Sequence, residues 1–296
     1  MRRVDFCKGL VITAVSAITP WPALAQTDAA APVKGMAAMV DSAARLRMLA
    51  QRSAKAYLML GQDIAPDQAR VILQSSMEQF ELHVMRLKTL SPTGIAIALA
   101  RLEATWVPCK ALLAVAPSRA GADALYDASE TVQQAAHRLT LAVEQASDAP
   151  INHLISIAGR QRMLSQRMAK FYFFRTWGLY ESPADMELHL SRAHFTAVLT
   201  QIERSSLATT IIKDSVARIR LEWEPYQELL FASHDPGKMR QDAARVAQGS
   251  ERVLDVTEEL LTRLVELAQS APAAPQTSVS HRSTPVYGAS PHGAAG

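Results

Sequence analysis

From Met36 onward, apolar residues recur at spacings of three and four, the pattern of amphipathic helices, and the pattern breaks where Pro and Gly occur. The spacing predicts helices over 36–61, 67–90, 94–116 and 120–147, divided at Pro66, Ser91-Pro92 and Pro117. A second set follows over 151–178, 183–205, 208–232 and 236–268, with Pro183 and Pro236 each placed to open a helix. Pro108 and Pro225 fall inside a long helical pattern and are expected to kink it. Four antiparallel helices with short connections make a bundle. The reading is therefore an all-α fold of two tandem four-helix bundle units, 36–148 and 149–269, joined near Asp148-Ala149-Pro150.

The two sets of helices carry one repeated segment. Arg45-Leu46-Arg47-Met48-Leu49-Ala50-Gln51-Arg52-Ser53-Ala54-Lys55-Ala56-Tyr57 aligns with Arg160-Gln161-Arg162-Met163-Leu164-Ser165-Gln166-Arg167-Met168-Ala169-Lys170-Phe171-Tyr172 at nine of thirteen positions. Weaker matches follow in the same order: Trp106 and Pro108 with Trp223 and Pro225, then Ser129-Glu130 with Ser250-Glu251. The offset grows from 115 residues at the arginines to 121 at the serines, so the length changes belong mainly to loops. An ordered series of this kind reads as an internal duplication.

A helical wheel divides the repeated arginines into two sets. Ile157, Arg160, Met163, Leu164, Arg167, Phe171 and Phe174 share a core-facing stripe, as do Arg45, Met48, Leu49, Arg52 and Met59 in the first copy. On roughly the opposite side Arg162 lies among Ile155, Ala158, Ser165, Ala169 and Phe173, and Arg47 among Val40, Ala43, Ala50, Ala54 and Leu58. A second apolar side needs a partner, and the sister helix is the obvious one. If the copies pack about a pseudo-two-fold axis, Arg47 and Arg162 approach each other, and two desolvated guanidiniums repel unless an anion lies between them. Arg47 and Arg162 are thus the candidate ligand contacts, with Arg45, Arg52, Arg160 and Arg167 as neighbours whose main expected role is pairing with bundle acids. Glu103, Glu130, Glu222 and Glu251, which recur at matched positions, are the candidate acids. Trp106 and Trp223 read as bundle core.

The ends of the chain set its expected location. Arg2, Arg3 and Lys8 precede an apolar stretch of about ten residues and then Ala23-Leu24-Ala25, the pattern of a secretory signal peptide over 1–25. Such a stretch is shorter than the roughly 20 residues of a membrane span, and a periplasmic location is expected. A flexible segment over 26–35 and a disordered Ala/Pro/Ser tail over 270–296 complete the plan. Removing residues 1–25, with three basic residues and Asp5, lowers the formal charge from +3 to about +1, which gives no reason to expect nucleic acid. Cys7 leaves with that segment, and Cys109 then reads as a small buried apolar residue.

No conventional catalytic or metal constellation is present in the sequence. His83, His137 and His153 are isolated, His189 and His194 lie on different faces, and His281 and His292 are too few and too far apart to argue for metal. Glu81-Leu82-His83 lacks the spacing of a di-metal bundle site. No enzyme activity, cofactor or metal is expected.

The segment Ile157-Ala158-Gly159-Arg160-Gln161-Arg162-Met163-Leu164-Ser165-Gln166-Arg167-Met168-Ala169-Lys170 resembles the signature of the PilJ-type domain, the N-terminal sensor domain of type IV pili chemotaxis transducers. It is also similar to the periplasmic sensor domain of nitrate/nitrite sensor histidine kinases. The resemblance implies a four-helix bundle that receives a small signal, nitrate or nitrite in the kinase branch. There the anion is held at a dimer interface by the arginine matching Arg162 and, through the repeat, Arg47. The first copy departs from the signature, with Ser42-Ala43-Ala44 in place of Ile157-Ala158-Gly159. The expected function is a periplasmic, non-catalytic oxyanion-binding sensor module that passes its state to a membrane receptor or histidine kinase. The alternative is a structural module that docks a receptor ectodomain or forms a homodimer.

Overall fold

The computed structural model describes residues 35–90, 93–146 and 149–270. The expected signal segment with Cys7, all of the 26–35 segment except Gly35, the Ser91-Pro92 break, Asp148, and the tail beyond Ser270 with His281 and His292 lie outside the described residues. The described residues are helical and contain no strand. The helices are α1 (Met36–Gly61), α2 (Pro66–Leu90), α3 (Thr93–Leu113), α4 (Arg119–Gln145), α5 (Pro150–Thr176), α6 (Glu181–Glu203), α7 (Thr210–Phe231) and α8 (Pro236–Ser270).

The all-α expectation holds, with local departures at helix ends. α3 stops at Leu113 rather than 116, consistent with Pro117 disfavouring helical geometry in the residue before it. α6 opens at Glu181, which places Pro183 third in the helix, where its missing N–H falls among groups that have no intrahelical partner in any case. Pro108 and Pro225 sit inside α3 and α7, which run on through them. α4 and α7 are capped by Ser118 and Thr209, whose side chains accept from the N–H groups of Gly121 and Ile212. Tyr180 holds a left-handed backbone at the start of α6 (φ 53°), and tertiary contacts fix it there: its ring stacks on Tyr126 at 4.0 Å and its hydroxyl donates to Asp123.

Packing follows the apolar stripes. α1 lies against α2 and α4, and α3 closes that ring; α5 lies against α6 and α8, and α7 closes the other. The most extensive helix pair among the described residues is α1 with α5, flanked by α1–α8 and α4–α5 contacts, so the two rings share a central seam made by the two repeated helices. This accounts for the two apolar sides of those helices, since one serves the bundle and the other the seam. In the bundle cores, Phe80 stacks on Trp106 at 3.8 Å and Phe195 on Trp223 at 4.3 Å, at positions that correspond through the repeat. Burying each such ring contributes roughly 1.5–3 kcal/mol. Cys109 is buried in the core, and burial pushes its thiol up to about 12.

Candidate functional site at the central seam

The seam is close because its middle is built from small side chains. A Cβ placed on Gly159 would lie 2.9 Å from the Cβ of Ala44, its counterpart in the first copy, so the two helices touch almost backbone to backbone. The same point is 3.4 Å from Nη2 of Arg162 and 3.5 Å from Nη2 of Arg47, so both arginines reach the crossing. Both are buried, Arg47 at 1% exposure and Arg162 at 0%, and the Nε of each has no hydrogen-bond partner among the described residues.

Their surroundings otherwise differ. Arg162 donates from Nη1 to Glu258 Oε2 at 2.8 Å and from Nη2 to Asp41 Oδ1. Arg45 grips the same two acids, with Nε on Asp41 at 3.1 Å and two nitrogens on the two oxygens of Glu258 at 3.0 and 2.6 Å. Burial alone would raise the Asp41 carboxyl, but Arg162 and Arg45 outweigh it and hold it well below the usual range. His83 lies buried at the edge of this group, bonded to the Ser42 hydroxyl at 2.7 Å, and burial followed by Arg45 pushes its ring down to about 3.

Among the described residues Arg47 reaches no carboxylate. Nη2 donates to the backbone oxygen of Ser156 at 2.9 Å, and Nη1 meets His137 Nδ1 at 3.3 Å. Burial, then the nearby Arg160 and Arg162, lower its guanidinium to about 9, with only Glu144 opposing. His137, half-buried, is pushed down to about 4 by burial, Arg47 and Arg160.

Below the crossing, two further ionic groups tie each repeated helix to the opposite bundle. Arg52 donates to Glu251 from Nη2 at 2.5 Å and from Nε, while Lys55, fully buried, reaches the same acid at 2.5 Å and Gln166 at 2.6 Å. In the mirror arrangement Arg167 and Lys170 each meet Glu130 at 2.6 Å, and Arg167 also pairs with Glu187 at 2.9 Å. Arg52 and Arg167 bond Ser76 and Ser191, which correspond through the repeat. Burial alone would raise Glu251 and Glu130, yet their cations hold both at about 2.

The wheel placed Arg45, Arg52, Arg160 and Arg167 in the core-facing stripe, and that assignment needs correction. Arg45, Arg52 and Arg167 are 18%, 16% and 14% exposed and Arg160 is intermediate, whereas Arg47 and Arg162 are the deeply buried pair. Arg45, Arg52 and Arg167 lie where an acid from the opposite bundle reaches in, so their heads lean toward the edge of the packed face. Of the four recurring acids, Glu251 and Glu130 do pair with repeated arginines. Glu103 and Glu222 instead meet Lys88 and Arg252 in more exposed positions. Asp41, Glu258 and the buried Lys55 and Lys170 were missed; the lysines could have been found from their identity in both copies.

Among the described residues no three His, Cys, Asp or Glu side chains are grouped to hold a metal, and no helix is long and apolar enough to cross a membrane. The described residues form an all-helical body with a buried arginine seam between two bundles. Residues 145–249, which take in α5 to α7 and the first part of α8, match the PilJ family, described as type IV pili methyl-accepting chemotaxis transducer N-term, and this region is similar to a PilJ-type sensor domain. No curated protein and no solved structure matches the chain.

Proposed function

We propose that this sensor-type module binds a small oxyanion at the α1–α5 seam, in the periplasm, and passes its state to a partner such as a membrane receptor or histidine kinase. The observation that carries the reading is Arg47: a guanidinium at 1% exposure, with an unpartnered Nε and no carboxylate paired to it among the described residues. A buried cation is stable when an anion is bonded to it, and the planar fork of arginine suits two oxygens of one oxyanion. Nitrate and nitrite are the ligands that the resemblance of Ile157–Lys170 to nitrate/nitrite sensors favours. Because α1 and α5 are the central helices of both bundles, an ion that tightens their contact acts on both at once. The basic, apolar and small-residue order of residues 1–25 supports an exported location.

Thermal unfolding with millimolar sodium nitrate or nitrite, against sodium chloride at equal ionic strength, tests the reading. The melting temperature should rise with nitrate or nitrite, and Arg47→Ala combined with Arg162→Ala should remove the rise. No rise in the unsubstituted protein rejects these ligands. A second reading is favoured by Arg162, whose charge Asp41 and Glu258 already neutralise. In it the seam is purely architectural, and the chain docks a receptor ectodomain or a second copy. That reading requires a stable complex that forms equally with and without nitrate.

A further inference from the structure

The two halves of the seam correspond position by position but not in charge. On the repeated helices Asp41 corresponds to Ser156, Arg45 to Arg160 and Arg47 to Arg162, all at the offset of 115 residues. On the fourth helices Glu258 corresponds to His137, at the offset of 121 that also relates Ser250 to Ser129. The contacts obey the same correspondence: Arg162 reaches residue 41 and residue 258, while Arg47 reaches residue 156 and residue 137. In an isologous contact each interaction is made twice, and here it is made once with two acids and once without any.

The consequence is a charge imbalance confined to one half. Around Arg162 two guanidiniums, its own and that of Arg45, face two carboxylates. Around Arg47 there are again two guanidiniums, Arg47 and Arg160, but Ser156 offers only a backbone oxygen and His137 a ring nitrogen. Among the described residues no carboxylate is paired with either arginine. Glu144, the acid that acts on Arg47 from a distance, is itself bonded to His153 at 2.6 Å. A guanidinium keeps its proton in a protein, so this half is short of negative charge, and the unpartnered Nε of Arg47 is a donor with nothing to accept from it.

Building on the oxyanion reading, we infer that the chain holds a single oxyanion per molecule, in the Arg47 half, bounded by Arg47, Arg160 and His137. Asp41 and Glu258 are the chain's own anions in the other half and close it to ligand. The duplicated molecule thus combines one open and one internally filled version of the same site.

Calorimetric titration with sodium nitrate, together with melting temperatures measured in chloride, tests this on the full chain. The unsubstituted protein should take up one equivalent. Ser156→Asp with His137→Glu copies the filled half into the open one, and should lose nitrate binding while melting higher in chloride than the unsubstituted protein. Asp41→Ser with Glu258→His opens the filled half, and should bind two equivalents. Single substitutions to methionine give an independent check should a double variant fail to fold. Arg47→Met should abolish nitrate binding and melt no lower in chloride, whereas Arg162→Met should melt lower because Asp41 and Glu258 lose a shared cation. Uptake of two equivalents by the unsubstituted protein, or nitrate binding that survives in the Ser156→Asp/His137→Glu variant, overturns the single-site assignment. A melting temperature that does not rise in that variant overturns the charge imbalance whatever nitrate does. If the unsubstituted protein binds no nitrate yet the variant melts higher, nitrate falls as the ligand and the unbalanced half stands.

Discussion

The two levels of the α1–α5 seam have treated the repeat differently. At the lower level both copies keep the same ionic group, Arg52 and Lys55 on Glu251 in one half and Arg167 and Lys170 on Glu130 in the other. At the upper level one half is filled by Asp41 and Glu258 and the other is left to Arg47, Ser156 and His137. The lower groups place a lysine at 0% exposure, and a buried ammonium without its acid is intolerable, so both copies must retain both partners. The upper arginines lie at a crossing between bundles, where on the proposed function an ion from solution stands in for a side chain. The chain is therefore uniform where it has to be self-sufficient and asymmetric where it does not.

The sharpest way to break this comparison is to neutralise the lower acids one at a time. Glu251→Gln leaves Lys55 and Arg52 without a carboxylate in a buried place and should cost about 3–5 kcal/mol in denaturant unfolding. Glu130→Gln should cost less, because Glu130 is 19% exposed and Arg167 retains Glu187 at 2.9 Å. Equal losses would show that the lower level is not graded by burial, and a negligible loss at Glu251 would remove it as the tie between α1 and α8.

A second contrast concerns acid. His83, on the filled half, and His137, on the open half, are held neutral in the fold, with ring values of about 3 and about 4 against an ordinary 6.5. Above pH 6.5 neither the folded nor the unfolded state binds these protons. Below it the unfolded state binds them first, so stability should fall as pH drops from 6.5 toward 3 to 4. Asp255 works the other way: burial and the neighbouring Glu251 raise it to about 6, so the folded state takes up its proton first and gains stability between pH 6 and 3.8. Below 4.5 protonation of unfolded Glu251 and Glu130, both held at about 2 in the fold, adds a further loss. Melting temperatures should therefore decline from pH 6.5 downward, and His83→Gln should flatten the decline more than His137→Gln, since His83 is the more deeply buried ring. No decline between pH 6.5 and 4.5 would contradict the neutral burial of His83.

Much of this was legible in the sequence because it repeats. Helix ends followed from Pro66 and Pro236, while Pro183 fell two residues inside the start of α6, and the second apolar side of α1 and α5 was itself enough to point to a sister helix. What stayed hidden was of two kinds. Glu251 was named as a candidate acid from its recurrence, but which cations it meets, Arg52 and Lys55 nearly two hundred residues away, lay beyond any spacing argument. Asp41 and Glu258 were overlooked for a different reason: searching for matched positions selects what the copies share, and these acids correspond to a serine and a histidine. The feature that separates the two halves is therefore the one that a repeat-based reading discards. The wheel also misjudged depth, since it ranks faces of one helix and carries no information about which face meets the tighter interface.

The smallest expected effect tests the crossing itself. Gly159→Ala should gain about 0.5–1 kcal/mol from helix propensity alone. Against that, the new Cβ would lie 2.9 Å from the Cβ of Ala44. The nearby Nη2 atoms of Arg162 and Arg47, at 3.4 and 3.5 Å, end flexible side chains and can give. Ala44 cannot, because its Cβ is fixed to the backbone of α1, so relief requires α1 and α5 to separate. Overpacking of this kind costs about 1–3 kcal/mol, so the net change should be a loss of about 1 kcal/mol despite the better helix former. Adding Ala44→Gly moves the missing methyl to the other side of the same contact and should recover most of the loss, so the double variant is more stable than the sum of the singles predicts. Strict additivity, or a stabilising Gly159→Ala, would mean that the two helices are not in backbone contact at Ala44 and Gly159. The shared approach of Arg47 and Arg162 to that point would then have to be abandoned with it.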